Sequence, residues 1–405
     1  MINIGIECES IENETWGVGR IVNKLLEEIS KKPELAQEFR FFLYFKSRIP
    51  DIPYLNNPIF TKKIIGPNSF SLYYYLFLPI KLWFEKLDLV FFPNYMLPIL
   101  FRGKSIVILT EDIYYEINSG QLPWRYKLAY QIFAGWWAAQ HATKIMAISK
   151  TSKQELIKLF KISGERIIVN SLGVDPSQIT PITHNLPSKT YLLYVGQAFP
   201  RRHLKETMLA FEQVSQEFLP ISQKRNRGSS IFKPNQNDLE KIGTDLKLIA
   251  IGKDKYNPPI IKKLSEDINR RLMREGIIYK EYVSEKELST LYANAKAIIY
   301  VSTKEAFGLP PLEALAYGVP TVVADEPINH EIYGDNVFVA RPELVEWVEG
   351  LETYTLKSIA IAMTDALTNE TKREKIKNAA SDILKKYTWQ KHTDRFLNIA
   401  RDFIK

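Results

Sequence analysis

The stretch "AIIYVSTKEAFGLPPLEALAYGVPTVVAD", residues 297–325, decides how the rest of the chain is read. "AIIYVS" (297–302) has the unbroken apolar character of a buried strand. "PPLEALAY" (310–317) reads as a helix opened by proline, whose missing N–H removes no hydrogen bond in a first turn. Gly318 stands where a left-handed cap belongs, and Pro320 blocks continuation. "TVVA" (321–324) follows as a second strand. Two parallel strands joined by one short helix form a βαβ unit with a right-handed crossover, which puts loop 303–309 at the carboxyl edge of a sheet, where α/β folds bind their ligands.

Three features of that loop point to one ligand layout. The N-terminus of a helix carries unpaired N–H groups and a partial positive charge, and Gly308 lets a ligand approach the backbone closely, so the site suits a phosphate. Glu305 and Glu313 are poor partners for phosphate but good acceptors for the vicinal hydroxyls of a sugar or ribose. A nucleotide-sugar, with hydroxyls at both ends and phosphates between, satisfies all three. The structural alternative is that Glu305 caps its own loop and Glu313 decorates the first turn of the helix, where acids are favoured in any case.

Working outward, short apolar runs alternate with helical patterns along the whole chain: "INIGIE" then "RIVNKLLEEI", "SIVILT", "KIMAIS" then "KQELIKLF", "YLLYV" then "LKETMLAF", "KLIAIG", "KAIIYVS" and "TVVA". Continuous apolar strands separated by amphipathic helices predict parallel sheets covered on both faces, an α/β chain. At 405 residues the chain exceeds one ordinary hydrophobic core, so two domains are expected. The first is placed at 1–178, a Pro/Ser/Thr-rich linker at 179–189, and the second at 190–387 with a polar, basic insertion at 222–238. Residues 388–405 form a terminal amphipathic helix, capped by Thr388 and presenting Trp389, Phe396, Ile399 and Phe403 as its apolar face. The expected ligand site is the cleft between the two halves, at the carboxyl ends of their strands.

Composition bounds the chemistry. Apolar residues are 45% and charged residues 25% of the chain, which is ordinary for a globular protein. The single cysteine, Cys8, cannot close an internal disulfide, and a reducing, cytoplasmic setting is the expectation. The net charge of +8 calls for an anionic partner: a phosphorylated small molecule, an anionic membrane face or, ranked third for want of any recognisable motif, nucleic acid. No Asp-x-Asp and no His/Cys cluster with metal-ligand spacing is present, so no metal and no cofactor are expected. "INIGIE" opens as a strand and lacks the pattern of a signal peptide. The apolar runs 71–80 and 128–139 are too short to span a bilayer. The stretches 72–87 and 123–137 mix aromatics with basic residues as interfacial segments do, although large buried helices read the same way, and burial is the expectation.

The segment "EAFGLPPLE" matches the E-x7-E signature of the retaining glycosyltransferases of the GT-B fold, the group 1 family (family 4). "WGVGR" (16–20), "FFPNYMLP" (91–98), "AISKTSKQEL" (147–156), "LGVD" (172–175), "YVGQAFPRRHLKETMLAF" (194–211) and "VSEKELSTLYANAKAIIYVS" (283–302) extend the resemblance over nearly the whole chain. It implies two Rossmann-like domains with parallel sheets facing an interdomain cleft. It implies that Glu305 contacts the transferred sugar, that Glu313 binds the ribose, and that the backbone at Phe307, Gly308 and Leu309 faces sugar and diphosphate. Gly196, Gln197, Arg201 and Val283 fall at further donor-binding places. Arg202 stands where relatives carry a lysine and keeps its charge, which would stabilise a departing diphosphate. Gln197 replaces a common arginine that Arg201 would then stand in for. Gly17 and Gly19 lie in the loop that relatives place beside diphosphate and acceptor. Glu111 occupies the usual histidine position, with Asp112 after it; a sugar contact, a base toward the acceptor, a changed substrate or a mere cap are all open there. Leu172 stands where an asparagine often precedes "GVD".

The resulting expectation is a metal-independent, retaining hexosyltransferase that moves a sugar from a nucleotide-sugar to a glycan or lipid-linked acceptor in surface glycan biosynthesis. GDP-mannose is placed first among donors, ahead of UDP-sugars and dTDP-rhamnose. The setting is cytoplasmic, with peripheral contact at the inner membrane face left open. The rivals are a catalytically degenerate sugar-nucleotide-binding scaffold and a sugar-nucleotide epimerase.

Overall fold

The computed structural model describes residues 1–403 apart from 14–16, 119–123, 125–127, 129–134, 176–190, 218–244 and 345–351. Trp16, the linker 179–189, the insertion 222–238 and most of the stretch 123–137 therefore lie outside the described residues. The chain divides into two units, Met1–Gly173 together with Tyr387–Lys405, and Val174–Lys386.

In the first unit, β1 (Ile2–Glu7), β2 (Phe39–Phe45), β3 (Phe60–Ile64), β4 (Leu89–Phe92), β5 (Ser105–Ile108), β6 (Lys144–Ala147) and β7 (Ile167–Val169) form one parallel sheet in the order β3-β2-β1-β4-β5-β6-β7. β4 and β5 are buried at every position, as continuous apolar strands covered on both faces must be. The second unit repeats the plan with β8 (Tyr191–Val195), β9 (Lys247–Ile251), β10 (Ile277–Lys280), β11 (Ala297–Tyr300), β12 (Thr321–Ala324) and β13 (Phe338–Ala340). These strands are parallel, in the order β10-β9-β8-β11-β12-β13. The chain winds outward from β8 to one edge, then returns to place β11 on its other side. The strand order thus reverses between β8 and β11, and the loops leaving their carboxyl ends open a crevice there.

The opening stretch folds nearly as read. Helix Leu309–Ala316 begins one residue earlier than expected, with Gly308 at its N-cap at φ 81°. Gly318 at φ 68° follows the helix end, with its N–H bonded to the Leu315 carbonyl. The earlier start moves Glu313 out of the first turn, so a simple preference of acids for helix N-termini does not account for it.

The terminal helix Trp389–Asp402 packs on the first unit. Thr388 caps it through the Lys391 N–H, and Trp389 and Phe396 are fully buried, the latter 5.0 Å from the Phe91 ring centre. Ile399 and Phe403, expected on the apolar face, are only half-buried; the buried stripe also takes His392, Thr393, Leu397 and Ala400. Polar His392 fits there because Asn170 and Ser171 receive it. The Asn170 amide donates to the His392 carbonyl at 3.1 Å, and His392 Nδ1 lies 3.0 Å from the Ser171 carbonyl. Gly173 allows the crossing: a Cβ there would lie 2.1 Å from the Thr388 carbonyl carbon.

The expected burial of 72–87 holds for one side only. Tyr73, Tyr74, Leu78 and Leu82 are core residues, whereas Leu72, Leu76, Phe77, Ile80, Trp83 and Phe84 are exposed. In the second aromatic stretch Trp124, Leu128 and Trp136 are exposed as well.

Candidate active site

The crevice between β8 and β11 holds a buried ion cluster. After β8 the chain passes Gly196, Gln197 and Phe199 into a tight 3-10 turn, Pro200–Arg202, which His203 ends in the left-handed conformation. After β11 it runs through Ser302, Thr303 and Glu305 to Gly308. Backbone staples join the two loops: the Thr303 N–H and hydroxyl both donate to the Arg201 carbonyl, at 2.9 and 3.1 Å. Arg201 Nη1 and Arg202 Nε then converge on one atom, Glu305 Oε1, at 2.7 and 2.8 Å, and the Ser302 hydroxyl donates to it at 2.8 Å. The three charged side chains are 9–16% exposed. Burial alone would raise the Glu305 carboxyl, but the two guanidiniums overcome it and hold the group well below the usual carboxylate range. Among the described residues no donor reaches Glu305 Oε2.

Arg202 is fixed from several directions. Its Nη1 donates to the Gln197 carbonyl at 3.3 Å, and its guanidinium lies 5.7 Å from the centres of both the Tyr300 and Phe199 rings. Gly196, at φ 144°, leaves it room, since a Cβ at that position would sit 3.1 Å from Arg202 Nη1. Gly308 flanks the same Tyr300 ring, its notional Cβ 3.6 Å away. Phe199 is approached by a third cation, Lys255, from the loop after β9. Three cations and two glycines thus gather where the strand order reverses, an arrangement suited to an anion.

The remaining candidates in this unit form a second layer. Glu313 is buried, and Oε2 accepts from the Tyr292 hydroxyl at 2.8 Å. Tyr292 shares an apolar cluster with Val283, Tyr300 and Ala314, so Val283 supports this region through packing. Phe307 is buried and Leu309 half-buried. Prolines 310 and 311 remove two of the first three helical N–H groups, leaving that of Leu309 at the helix start beside Gly308.

In the first unit Gly17 caps helix Val18–Ser30 at φ 60°, with no described residue within 4 Å of where a side chain would project, and Gly19 is buried within that helix. Glu111 and Asp112 open helix Glu111–Asn118, after β5. Glu111 is buried, accepts a hydrogen bond from the Ser152 hydroxyl, and is pushed up to about 7, chiefly by burial and further by Asp112 and Glu155. Among the described residues no group of three or more His, Cys, Asp or Glu side chains is placed to hold a metal ion, and no helix is long and apolar enough to cross a membrane.

Residues 179–382, half of the chain, match the family described as glycosyl transferases group 1. The chain belongs to that family. A group 1 glycosyl transferase has known relatives to set beside it. Over 64% of its length it is 26% identical to O-antigen chain mannosyltransferase B of Escherichia coli, and over 67% it is 21% identical to O-antigen chain mannosyltransferase RfbU of Salmonella typhimurium. The matches take in 60% and 65% of those relatives' own lengths. A crystal structure of WaaG, a glycosyltransferase involved in lipopolysaccharide biosynthesis, superposes with a TM-score of 0.67 at 17% identity, over 98% of this chain and 99% of that one. The fold of this family member is accordingly GT-B, two units each built on a parallel sheet with helices.

Sequence reasoning did not find every residue that builds the cluster. Ser302 stands three residues before Glu305, a spacing visible in the sequence but more often read as a helix cap. Tyr300 reads in the sequence only as a strand residue. In the second unit Tyr292 and Lys255, and in the first unit Ser152 beside Glu111, come from elements distant in sequence and leave no local signal.

Proposed function

We propose that this chain is a retaining, metal-independent glycosyltransferase that moves a sugar, mannose first among the candidates, from a nucleoside-diphosphate sugar to an acceptor hydroxyl of a growing surface glycan or glycolipid. The observation that carries the reading is the Arg201–Glu305–Arg202 cluster at the strand-order reversal of a group 1 family member. The kinship with two proteins named as O-antigen mannosyltransferases supports mannose and the glycan setting.

In this reading the two guanidiniums receive the diphosphate, whose charge grows as the glycosidic bond breaks, and the backbone of 307–309 completes the phosphate cradle. Glu305 gives its Oε1 to the arginines and turns Oε2 to a hydroxyl of the transferred sugar. Glu313 takes the ribose hydroxyls and Val283 backs the base end. Gly196 and Gln197 shape the loop that holds Arg202. On the acceptor side Gly17 and Gly19 keep the first loop open to substrate. Glu111, close to half-protonated near neutral pH, exchanges hydrogen bonds with the sugar or acceptor, with Asp112 beside it. Displacement proceeds on one face of the sugar: the acceptor oxygen bonds to the anomeric carbon as the diphosphate leaves, and the departing phosphate oxygen takes the acceptor's proton. Fixed cations do the work a divalent ion would do.

A thermal-shift screen of GDP, UDP, dTDP and ADP, followed by turnover of labelled nucleotide-sugars with and without EDTA, tests the proposal. Stabilisation by one nucleoside diphosphate and its EDTA-insensitive release from the matching donor is the expected result. Tight binding with no release from any donor would instead favour a scaffold, and an isomerised donor an epimerase.

A further inference from the structure

The exposed side of the helical segment 70–84 in the first unit is a surface the glycosyl-transfer reading leaves unused. It is built from Phe70–Leu72, a π-helical turn at Tyr73–Phe77, and Leu78–Trp83. The inward side is ordinary core. Outward stand Leu72, Leu76, Phe77, Ile80, Trp83 and Phe84, each at least 36% exposed and Phe84 81% exposed. Six large apolar side chains on one short segment exceed the scattered exposure normal for a soluble surface and mark a contact face.

The charge around this face selects the partner. Lys81 on this segment and Lys86 just beyond it are exposed. Of the acids that follow the segment, Glu85 is neutralised by Lys63 at 2.6 Å and Lys81 at 3.4 Å, and Asp88 accepts from the Asn3 N–H at 2.8 Å. The Trp83 indole donates to the Leu100 carbonyl at 3.0 Å, which brings the loop carrying exposed Arg102 and Lys104 alongside. The rim is therefore cationic. A second copy docked face to face would set these lysines against their own counterparts, since a two-fold interface pairs the same patch on both subunits. An anionic bilayer instead offers an apolar interior for the Leu, Ile and Phe side chains, a headgroup layer favoured by Trp, and negative charge for the rim.

We propose that this face lies on an anionic phospholipid surface and holds the protein peripherally at the membrane. The inference is independent of the nucleotide reading, because the face and the arginine cluster belong to different units and can be perturbed separately.

The test is co-sedimentation with vesicles of phosphatidylcholine alone and of phosphatidylcholine carrying about 30 mol% phosphatidylglycerol. The parent protein is expected to bind the anionic vesicles and to release with salt as exposed charges are screened. Phe77→Ser combined with Phe84→Ser should lower the partition coefficient at least about 100-fold, given the apolar burial lost. Lys81→Gln and Lys86→Gln should each lower it about fivefold. The Tm and the affinity for nucleoside diphosphate should stay unchanged in these variants, which shows that they are folded. No binding of the parent to anionic vesicles would overturn the proposal. So would unchanged binding of the double Phe variant, or that variant converting a dimer seen by light scattering into a monomer while vesicle binding persists.

Discussion

Replacing Glu305 by glutamine tests whether the ion cluster is as buried and as tightly paired as its geometry says. The side chain keeps its shape and can still accept from Ser302, so packing is preserved and the change isolates one negative charge. What remains is two guanidiniums, 13% and 16% exposed, that met at 2.7 and 2.8 Å on an atom now uncharged. Removing one partner of a buried pair typically costs about 3–5 kcal/mol, because the surviving charge stays desolvated without compensation. The preserved acceptor oxygen places this case near 3 kcal/mol. For a unit of this size that corresponds to a fall in Tm of about 6–12 °C. The pH dependence has a definite sign: a carboxyl held far below its ordinary value stabilises the fold fully above that value and loses the contribution only as pH falls through the depressed one. The gap between parent and variant should therefore be constant from neutral pH down to about pH 5 and close only in stronger acid. Thermal unfolding, with hydrogen exchange on the β8 and β11 peptides to assign the transition, reads both quantities. Under the proposed function, a millimolar nucleoside diphosphate should stabilise the variant more than the parent, since its phosphates restore the missing negative charge. A Tm within about 2 °C of the parent, or a gap that disappears in about 1 M salt, would refute the reasoning, because both outcomes belong to a solvated surface pair.

Three further expectations follow from other contacts. Arg202→Ala should cut turnover of the matching nucleotide-sugar at least about 100-fold, the scale of removing one transition-state donor, and Arg202→Lys should recover only part because a point charge cannot serve Glu305 and the Gln197 carbonyl together. Glu111, raised to about 7, binds its proton more tightly in the folded protein, so its contribution to stability is greatest below about pH 4.5 and declines as pH rises to 7; the Tm of Glu111→Gln relative to the parent should climb across that window and level off above it. Trp389→Ala, at a fully buried position of the terminal helix, should cost about 3–5 kcal/mol in denaturant unfolding, whereas Arg401→Ala should cost under about 1 kcal/mol, its pair with Glu38 being substantially exposed.

The fold was legible where local chemistry and tertiary demand coincide. Residues 297–324 combine unbroken apolar runs with Gly and Pro at the stops, and each element appears within a residue or two of its reading. What pattern could not supply was strand order. Arg201 and Glu305 are about a hundred residues apart, and only the placement of β11 beside β8 brings their loops together. The terminal helix shows the converse failure: the expected face left out His392, yet the Ser171 carbonyl of a distant segment receives it on the buried side, and burial depresses the histidine to about 4. The stretch 72–87 misled for a third reason. A predominantly apolar composition reads as core by default, and nothing in a periodic pattern distinguishes a side covered by protein from one presented to a partner.

The arginine at 202, where the resemblance implies a lysine, gains a physical rationale from this geometry. A lysine ammonium is a mobile point charge on a flexible stem, free to follow a ligand's phosphate. The Arg202 fork uses Nε on Glu305 and Nη1 on the Gln197 carbonyl, lies against Tyr300, and fits only because residue 196 lacks a Cβ. Its orientation is therefore set during folding, before any anion arrives. With Glu305 ionised, the cluster of two arginines and one carboxylate keeps a net charge of +1, so the pairing that orders the guanidiniums does not cancel their attraction for phosphate. Preorganised charge stabilises a developing anion without reorganisation at the moment of reaction. On this view Glu305 serves the chemistry through Arg202 as much as through the sugar, which is why the loss of its charge should register first in stability and diphosphate response, and why a turnover defect in Glu305→Gln should be deepest in the step that releases the diphosphate.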